Sequence, residues 1–122
     1  MLARETSQMG AAAIDFRKSG EEQRLSNEVK LALYRIAQEA LNNVVKHSSA
    51  TRADLKITFE DSEIQMEVSD NGNGFIVPNN PTELAPNGHF GLLGVHERAD
   101  LIGARLELES TLGKRTRLRV RL

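Results

Sequence analysis

The strongest constraint on the fold is a long amphipathic pattern between Ser26 and Lys46. Apolar side chains recur there at three- and four-residue steps, namely Val29, Leu33, Ile36, Ala37, Ala40, Leu41 and Val44. This spacing predicts an α-helix with one apolar face. Ser26 stands where a helix N-cap is expected. Because the apolar face must be buried, the helix requires a second layer to pack against.

Segments of alternating apolar residues on both sides of this helix predict strands. The expected order is a weak strand at Ala13–Arg17, the helix, a hairpin of Asp54–Glu60 and Glu63–Ser69, a second helix at about Leu92–Ile102, and a hairpin of Arg105–Ser110 and Thr116–Leu122. This is not the strand–helix alternation of a doubly wound parallel sheet. It predicts an α+β fold, a two-layer sandwich with helices on one face of a mixed, mostly antiparallel sheet.

Length and composition limit the domain count and the class of partner. A chain of 122 residues closes one core, so we expect one domain at 13–122 after a linker remnant or frayed segment at 1–12. With 16 Lys and Arg against 17 Asp and Glu, the net charge is −1, which disfavours nucleic-acid binding. The absence of cysteine excludes disulfides and thiolate metal sites. No apolar run is long enough to cross a bilayer, so we expect no membrane contact by this domain.

A first polar constellation lies on the long helix. Glu39, Asn43, Lys46 and His47 share one stripe at the border of the apolar face, because they are spaced by four, seven and eight residues. Amide and carboxylate oxygens suit a divalent cation, and a lysine can neutralise phosphate charge. The alternative is an ordinary polar margin, which most amphipathic helices have.

Two further motifs follow in the loops. Asp70-Asn71-Gly72-Asn73-Gly74 comes directly after a predicted strand, where a carboxylate can accept a hydrogen bond from an exocyclic amine. Its alternative is a plain turn. The string from Gly88 to Gly94 places glycines ahead of the second helix, where free amide groups can bind an anion. Its alternative is a hinge, and a nucleotide lid would combine both properties.

The three motifs in this order resemble the Bergerat-fold ATP-binding module. The resemblance rests on three segments, LYRIAQEALNNVVKHSSA (33–50), VSDNGNGF (68–75) and GHFGLLGVHERADLIGARLELESTLG (88–113). Within that superfamily the chain is most similar to the catalytic domain of sensor histidine kinases of the nitrate-sensor and lipid-fluidity-sensor class. The resemblance implies a domain that binds ATP and Mg²⁺ and supplies the γ-phosphate for histidine autophosphorylation.

The resemblance also implies roles for individual residues. Asn43 looks like the asparagine that coordinates Mg²⁺ between the ATP phosphates. Glu39 matches the acidic residue one helical turn earlier, which makes it a further metal-binding and catalytic candidate. Lys46, a third catalytic candidate, and His47 would lie towards the phosphates.

The remaining implied contacts concern adenine and the lid that covers ATP. Asp70 resembles the aspartate that accepts a hydrogen bond from the adenine amine, in a pocket shaped by Gly72 and Gly74. The lid contacts would come from Gly88, Gly91, Leu92 and Gly94. Thr116 fits the threonine beneath adenine.

The chain departs from the family pattern at a few positions. Arg115 stands where the string ending in Thr116 usually has its second glycine, which affects the expected floor of the adenine pocket. Val95 and His96 replace the usual Met and Arg, and Gly103-Ala104 replaces Gly-Gly.

The expected partner follows from the histidines. His47, His89 and His96 all lie inside nucleotide motifs, so the phospho-acceptor is expected on a dimerisation domain of a parent kinase. A response regulator would be an indirect partner, and the domain would be cytoplasmic. The alternatives are a standalone regulator resembling anti-sigma-factor serine kinases and a degenerate nucleotide-binding module.

One basic stripe has a structural explanation. Arg117, Arg119 and Arg121 alternate on the last predicted strand, opposite Glu107 and Glu109 on its partner. Cross-strand ion pairs are therefore expected rather than a nucleic-acid surface.

Overall fold

The computed structural model describes residues 2–9, 12–21, 24–47, 50–73, 90–110 and 115–122. Its elements are β1 (Leu2–Met9), β2 (Ala12–Ser19), α1 (Asn27–His47), β3 (Arg52–Phe59), β4 (Ile64–Asp70), α2 (Phe90–Leu101), β5 (Arg105–Ser110) and β6 (Thr116–Arg121). These elements confirm both predicted helices and all five predicted strands, with boundaries that shift by a few residues.

The strands form one six-stranded sheet in the order β1-β2-β3-β4-β6-β5. The β2–β3 pair is parallel, since α1 carries the chain back across the sheet between them. The other four pairs are antiparallel. The predicted α+β class with a mixed, mostly antiparallel sheet is therefore confirmed.

The N-terminal segment differs from its expected frayed state. Leu2–Met9 forms β1, an edge strand that pairs antiparallel with β2 along its whole length. Its sequence, LARETSQM, lacks the apolar alternation that reveals a half-buried strand, because an edge strand can be held by backbone hydrogen bonds. The assignment of residues 1–12 to a linker in a longer protein stays a prediction.

The long helix begins as its sequence predicts. The Ser26 hydroxyl accepts a hydrogen bond from the Val29 amide at 3.2 Å. The Ser26 carbonyl accepts the Lys30 amide at 3.0 Å. Ser26 is therefore the N-cap of α1.

Both helices pack on one face of the sheet. The larger core cluster joins residues of α1 and α2 to β4 and β6, namely Leu33, Ile36, Val95, Ala99, Met66, Leu118 and Val120. A smaller cluster of Ile14, Val44, Ala50 and Ala53 attaches the C-terminal half of α1 to the end of the sheet. The two clusters together fix α1 along its length.

The other face of the sheet carries the predicted ion pairs. Arg117 contacts Glu109 at 2.6 Å, and Arg119 lies 3.0 Å from Glu67 and 3.7 Å from Glu107. The interpretation of the arginine stripe as cross-strand pairing is confirmed. Partly exposed pairs of this kind contribute little each, about 0–1 kcal/mol.

Two glycines occupy the left-handed backbone region for different reasons. Gly103 (φ 67°) ends α2, where the Ala104 amide donates to the Ala99 carbonyl and the Gly103 amide to Asp100 in a Schellman arrangement. Gly20 (φ 87°) follows β2, and a Cβ there would lie 2.0 Å from the Phe59 carbonyl oxygen. A Cβ on Gly103 meets nothing within 4 Å.

Alanine variants of the two glycines distinguish the cost of backbone strain, which both share, from the cost of steric overlap, which only Gly20 has. We expect Gly103→Ala to lower the free energy of unfolding by about 1–2 kcal/mol, the cost of a left-handed conformation. Gly20→Ala should cost clearly more, about 3 kcal/mol or above, because backbone atoms must also shift. Urea unfolding of both variants measures the difference. Equal losses would contradict the close approach of Gly20 to Phe59.

Candidate functional site

The candidate site is built around Asp70, the last residue of β4. Alternation along β4 places Asp70 on the helix-covered face together with Met66 and Val68. Its cross-strand partner is Ala53, which packs against Val44 of α1. Asp70 therefore lies beside the C-terminal half of α1, with only 7% of its surface exposed.

The Asp70 carboxylate is a buried acceptor held by backbone amides. Its Oδ1 accepts the Gly72 amide at 2.7 Å. Burial raises the pKa of Asp70, and hydrogen bonds from the Gly72 and Thr116 backbones partly oppose that rise. The structure thus brings three predicted site residues, Asp70, Gly72 and Thr116, into one cluster.

Two polar residues of α1 form the neighbouring part of the site. Glu39 and Asn43 are half-buried, and the Asn43 Nδ2 donates to the Glu39 carbonyl at 2.9 Å. This bond fixes the amide plane, so Oδ1 is the atom that Asn43 can offer to a cation. The backbone of Lys46 and His47 continues the helix, while their side chains lie outside the described residues.

A hydroxyl pair closes the β5–β6 end of the cluster. The Thr116 Oγ1 and the Ser110 Oγ are 2.7 Å apart. Ser110 was not among the predicted site residues, although its position opposite Thr116 in the hairpin could have identified it. Arg115, which replaces a glycine of the family pattern, is exposed.

The glycine-rich motif is placed differently from the prediction. The helix was expected to begin near Leu92, with its glycines ahead of it. In the structure α2 begins at Phe90, so Gly91, Leu92 and Gly94 lie within its first turns. Fully buried Val95 and Ala99 hold this helix against the core, which offsets the low helix propensity of glycine. The expected contacts of Gly74 and Gly88 lie outside the described residues.

Val95 and His96, the two positions of α2 that depart from the family pattern, lie in different environments. Val95 is fully buried in the core, where an aliphatic side chain is suited. His96 is half-buried, and burial lowers its pKa, with the Asp100 charge acting in the opposite direction.

The sequence assigns Asn71 no role of its own within the Asp70–Gly74 motif, yet its side chain makes three polar contacts beside Asp70. Its Oδ1 accepts the amides of Thr51 and Arg52 at 3.0 Å each. Its Nδ2 donates to the Thr51 hydroxyl at 3.0 Å. These contacts lie across two loops, which a single-sequence pattern does not reveal.

Within the described ranges, no three His, Cys, Asp or Glu side chains come together as a metal cluster. The polar residues of α1, Glu39 and Asn43, carry oxygen atoms of the kind that hard cations take as ligands. The two described helices include none that is long and apolar enough to cross a membrane.

Comparisons with known proteins agree with this architecture. The B. subtilis (strain 168) signal transduction histidine-protein kinase/phosphatase DegS is 33% identical over 115 residues, covering 93% of this chain and 29% of DegS. The chain therefore spans less than a third of that relative's length.

Solved structures share the fold. The histidine kinase domain of the Erythrobacter litoralis EL346 blue-light activated histidine kinase matches with a TM-score of 0.66 at 18% identity, over 86% of this chain and 52% of that one. Full-length ShkA in complex with AMPPNP matches with a TM-score of 0.59 at 20% identity, over 74% of this chain and 21% of that one.

The family model described as "Histidine kinase-, DNA gyrase B-, and HSP90-like ATPase" matches residues 28–122, which include α1, the Asp70 turn, α2 and the last hairpin. The predicted family resemblance is confirmed, and the chain belongs to the histidine kinase-, DNA gyrase B- and HSP90-like ATPase family.

Proposed function

We propose that this chain is the Mg·ATP-binding catalytic domain of a two-component sensor histidine kinase. The observation that carries the proposal is the buried Asp70 carboxylate, held by backbone amides beside the polar end of α1. Membership of the ATPase family and the similarity to DegS support it. Among structures with this fold, ShkA was solved with AMPPNP.

Asp70 would select adenine. A carboxylate that is removed from water but still accepts hydrogen bonds favours a ligand that brings another donor. The amino group of adenine is such a donor, whereas the carbonyl at the same place in guanine would face the carboxylate with its own lone pairs. Thr116, tied to Ser110, would form part of the adenine floor.

The C-terminal half of α1 would hold the phosphate end. Asn43 Oδ1 and Glu39 would bind Mg²⁺, which supplies charge neutralisation to the phosphates when bound. Lys46 and His47 would add donors, and the lid contacts would come from Gly88, Gly91, Leu92 and Gly94. The chain's own contribution is positioning of the γ-phosphate, the main part of catalysis in phosphoryl transfer.

The phosphate acceptor would belong to another domain. We infer that a dimerisation domain of a parent kinase presents the acceptor histidine, and that a response regulator receives the phosphoryl group afterwards. DegS is named a kinase/phosphatase and is much longer than this chain, which leaves room for such domains. ATP and the phosphorelay partners are cytosolic, so we place the domain on the cytoplasmic side.

Replacing Asp70 by Asn should weaken ATP binding without lowering the stability of the domain. Asn keeps one acceptor but turns a donor towards the adenine amine, so ATP affinity should fall by about a hundredfold, the scale of an unpaired buried polar group. Calorimetric titration of ATP measures this loss. The matched control is Asp61→Asn in the exposed β3–β4 turn at the opposite end of the sheet, which should bind normally.

The same variant should not be destabilised at neutral pH. Because burial raises the folded-state pKa of Asp70, the folded state holds its proton more tightly than the unfolded state. Ionisation of Asp70 therefore costs stability as the pH rises above the unfolded value of 3.8. At pH 7 we expect the ligand-free Asp70→Asn domain to melt at or above the wild-type temperature. A lower melting temperature would contradict the buried-charge assignment.

Asn43 should matter only when Mg²⁺ is present. We expect Asn43→Ala to weaken Mg·ATP binding about tenfold and to leave metal-free ATP binding nearly unchanged, because it removes an oxygen ligand. Titrations with Mg²⁺ and with EDTA give both affinities. The neighbouring Asn42→Ala is the control, since it changes the same residue type about 100° around the helix. Equal losses under both conditions would contradict the metal role.

Phosphotransfer discriminates the proposal from its alternatives. The chain, incubated with γ-labelled ATP and a separately made dimerisation domain of a related sensor kinase, should transfer label to the acceptor histidine. Acid-labile, base-stable phosphate on that domain is the expected readout. Label on serine of an added regulator would favour the anti-sigma-like alternative, and binding without transfer would favour a degenerate module.

A further inference from the structure

We propose that Asn71 is a positioning residue that couples the two halves of the nucleotide site. One half is the adenine-facing carboxylate of Asp70, and the other is the phosphate-facing end of α1. This inference rests on the proposed function, and it assigns to Asn71 a task beyond that of an ordinary turn residue.

The first observation is how fully the Asn71 side chain is used. Although Asn71 is exposed, its amide makes three hydrogen bonds, two from the Thr51 and Arg52 amides and one to the Thr51 hydroxyl. Its own backbone amide donates to the Arg52 carbonyl at 3.2 Å. A residue that only shaped its own turn would bond within the turn, whereas Asn71 bonds to a segment about twenty residues away.

The second observation is what that segment carries. Thr51 follows the end of α1 at His47 by four residues. Its carbonyl accepts the Ala13 amide at 2.9 Å, and the adjacent Ala50 is buried beside Val44. Thr51 is therefore bonded to the start of β2 on one side and to Asn71, at the end of β4, on the other.

The third observation concerns Asp70 itself. The Asn71 contacts continue the β3–β4 ladder one step beyond its last pair, Ala53 and Asp70. With Asn71 held there, the chain turns so that the Gly72 amide reaches back to Asp70 Oδ1 at 2.7 Å. The Asn71 side chain thus bonds to Thr51 and Arg52 directly beside the turn in which the Gly72 amide binds the Asp70 carboxylate.

The chemistry of the side chain explains the choice of residue. Asn presents an acceptor with two lone pairs and a donor in one plane, which matches two amides and a hydroxyl. Asp keeps the acceptor, and the Thr51 hydroxyl can rotate to donate to it. Ala keeps neither group, so Thr51 would lose its bonds to the Asn71 side chain, and only the backbone bond from the Asn71 amide to the Arg52 carbonyl would remain.

The coupling can be tested with ligands that occupy one half or both. ATP spans both halves, whereas AMP carries adenine and only one phosphate. We expect Asn71→Ala to weaken Mg·ATP binding about tenfold and AMP binding by less than about threefold, because misalignment of the halves affects only the ligand that joins them. Asn71→Asp should restore ATP affinity to within about threefold of wild type.

The measurements are calorimetric titration of Mg·ATP and NMR titration of AMP, each on the full 122-residue chain with a melting curve. Asp61→Ala, in the exposed turn at the other end of β3 and β4, is the matched control and should bind both ligands normally. Should Asn71→Ala not fold, Asn71→Ser gives the same comparison, since its short hydroxyl cannot span all three partners.

Four results would overturn the inference. Unchanged ATP affinity, or equal losses for ATP and AMP, would show that Asn71 does not couple the halves. A lower melting temperature with wild-type ATP affinity would reduce it to a stabilising turn residue. If the wild-type chain itself failed to bind ATP, the proposed function would fail first, and this inference with it.

Discussion

The packing of Val44 of α1 with two small residues, Ala50 just before β3 and Ala53 within it, is the constraint on which the site depends. Ala50 and Ala53 have short side chains, so the helix can approach the end of the sheet closely. Ala53 also pairs with Asp70 across the β3–β4 ladder. A single patch of aliphatic packing therefore brings a polar helix margin and a buried carboxylate together.

The parallel β2–β3 pair makes that packing possible. A parallel pair needs a crossover, and α1 is the crossover, so both of its ends are set by the sheet. Ile14 on β2 and Ala53 on β3 are register partners and belong to the same buried cluster. The position of α1, the register of β2 with β3 and the location of Asp70 therefore depend on one another.

The helices and most strands could be predicted from the sequence because each buries apolar side chains at a regular spacing. The period of α1, the Ser26 cap and the alternation of β4 all reflect which side chains leave water. The motif order also identified the family. β1 was missed since an edge strand needs only backbone pairing, and α2 starts two residues before the expected position near Leu92.

The sequence identified those site residues that lie within local motifs. Asp70, Gly72 and Thr116 lie within motifs, and the structure brings them together. Their roles towards a nucleotide stay a proposal.

Asn71 makes its contacts with a segment about twenty residues away, and no local period encodes such contacts. Ser110 differs, because the predicted hairpin already places it opposite Thr116. A motif shows which groups face a ligand. The residues that hold those groups in place emerge only when the chain is folded, and in this chain they include Asn71 after β4 as well as the aliphatic cluster of Val44, Ala50 and Ala53.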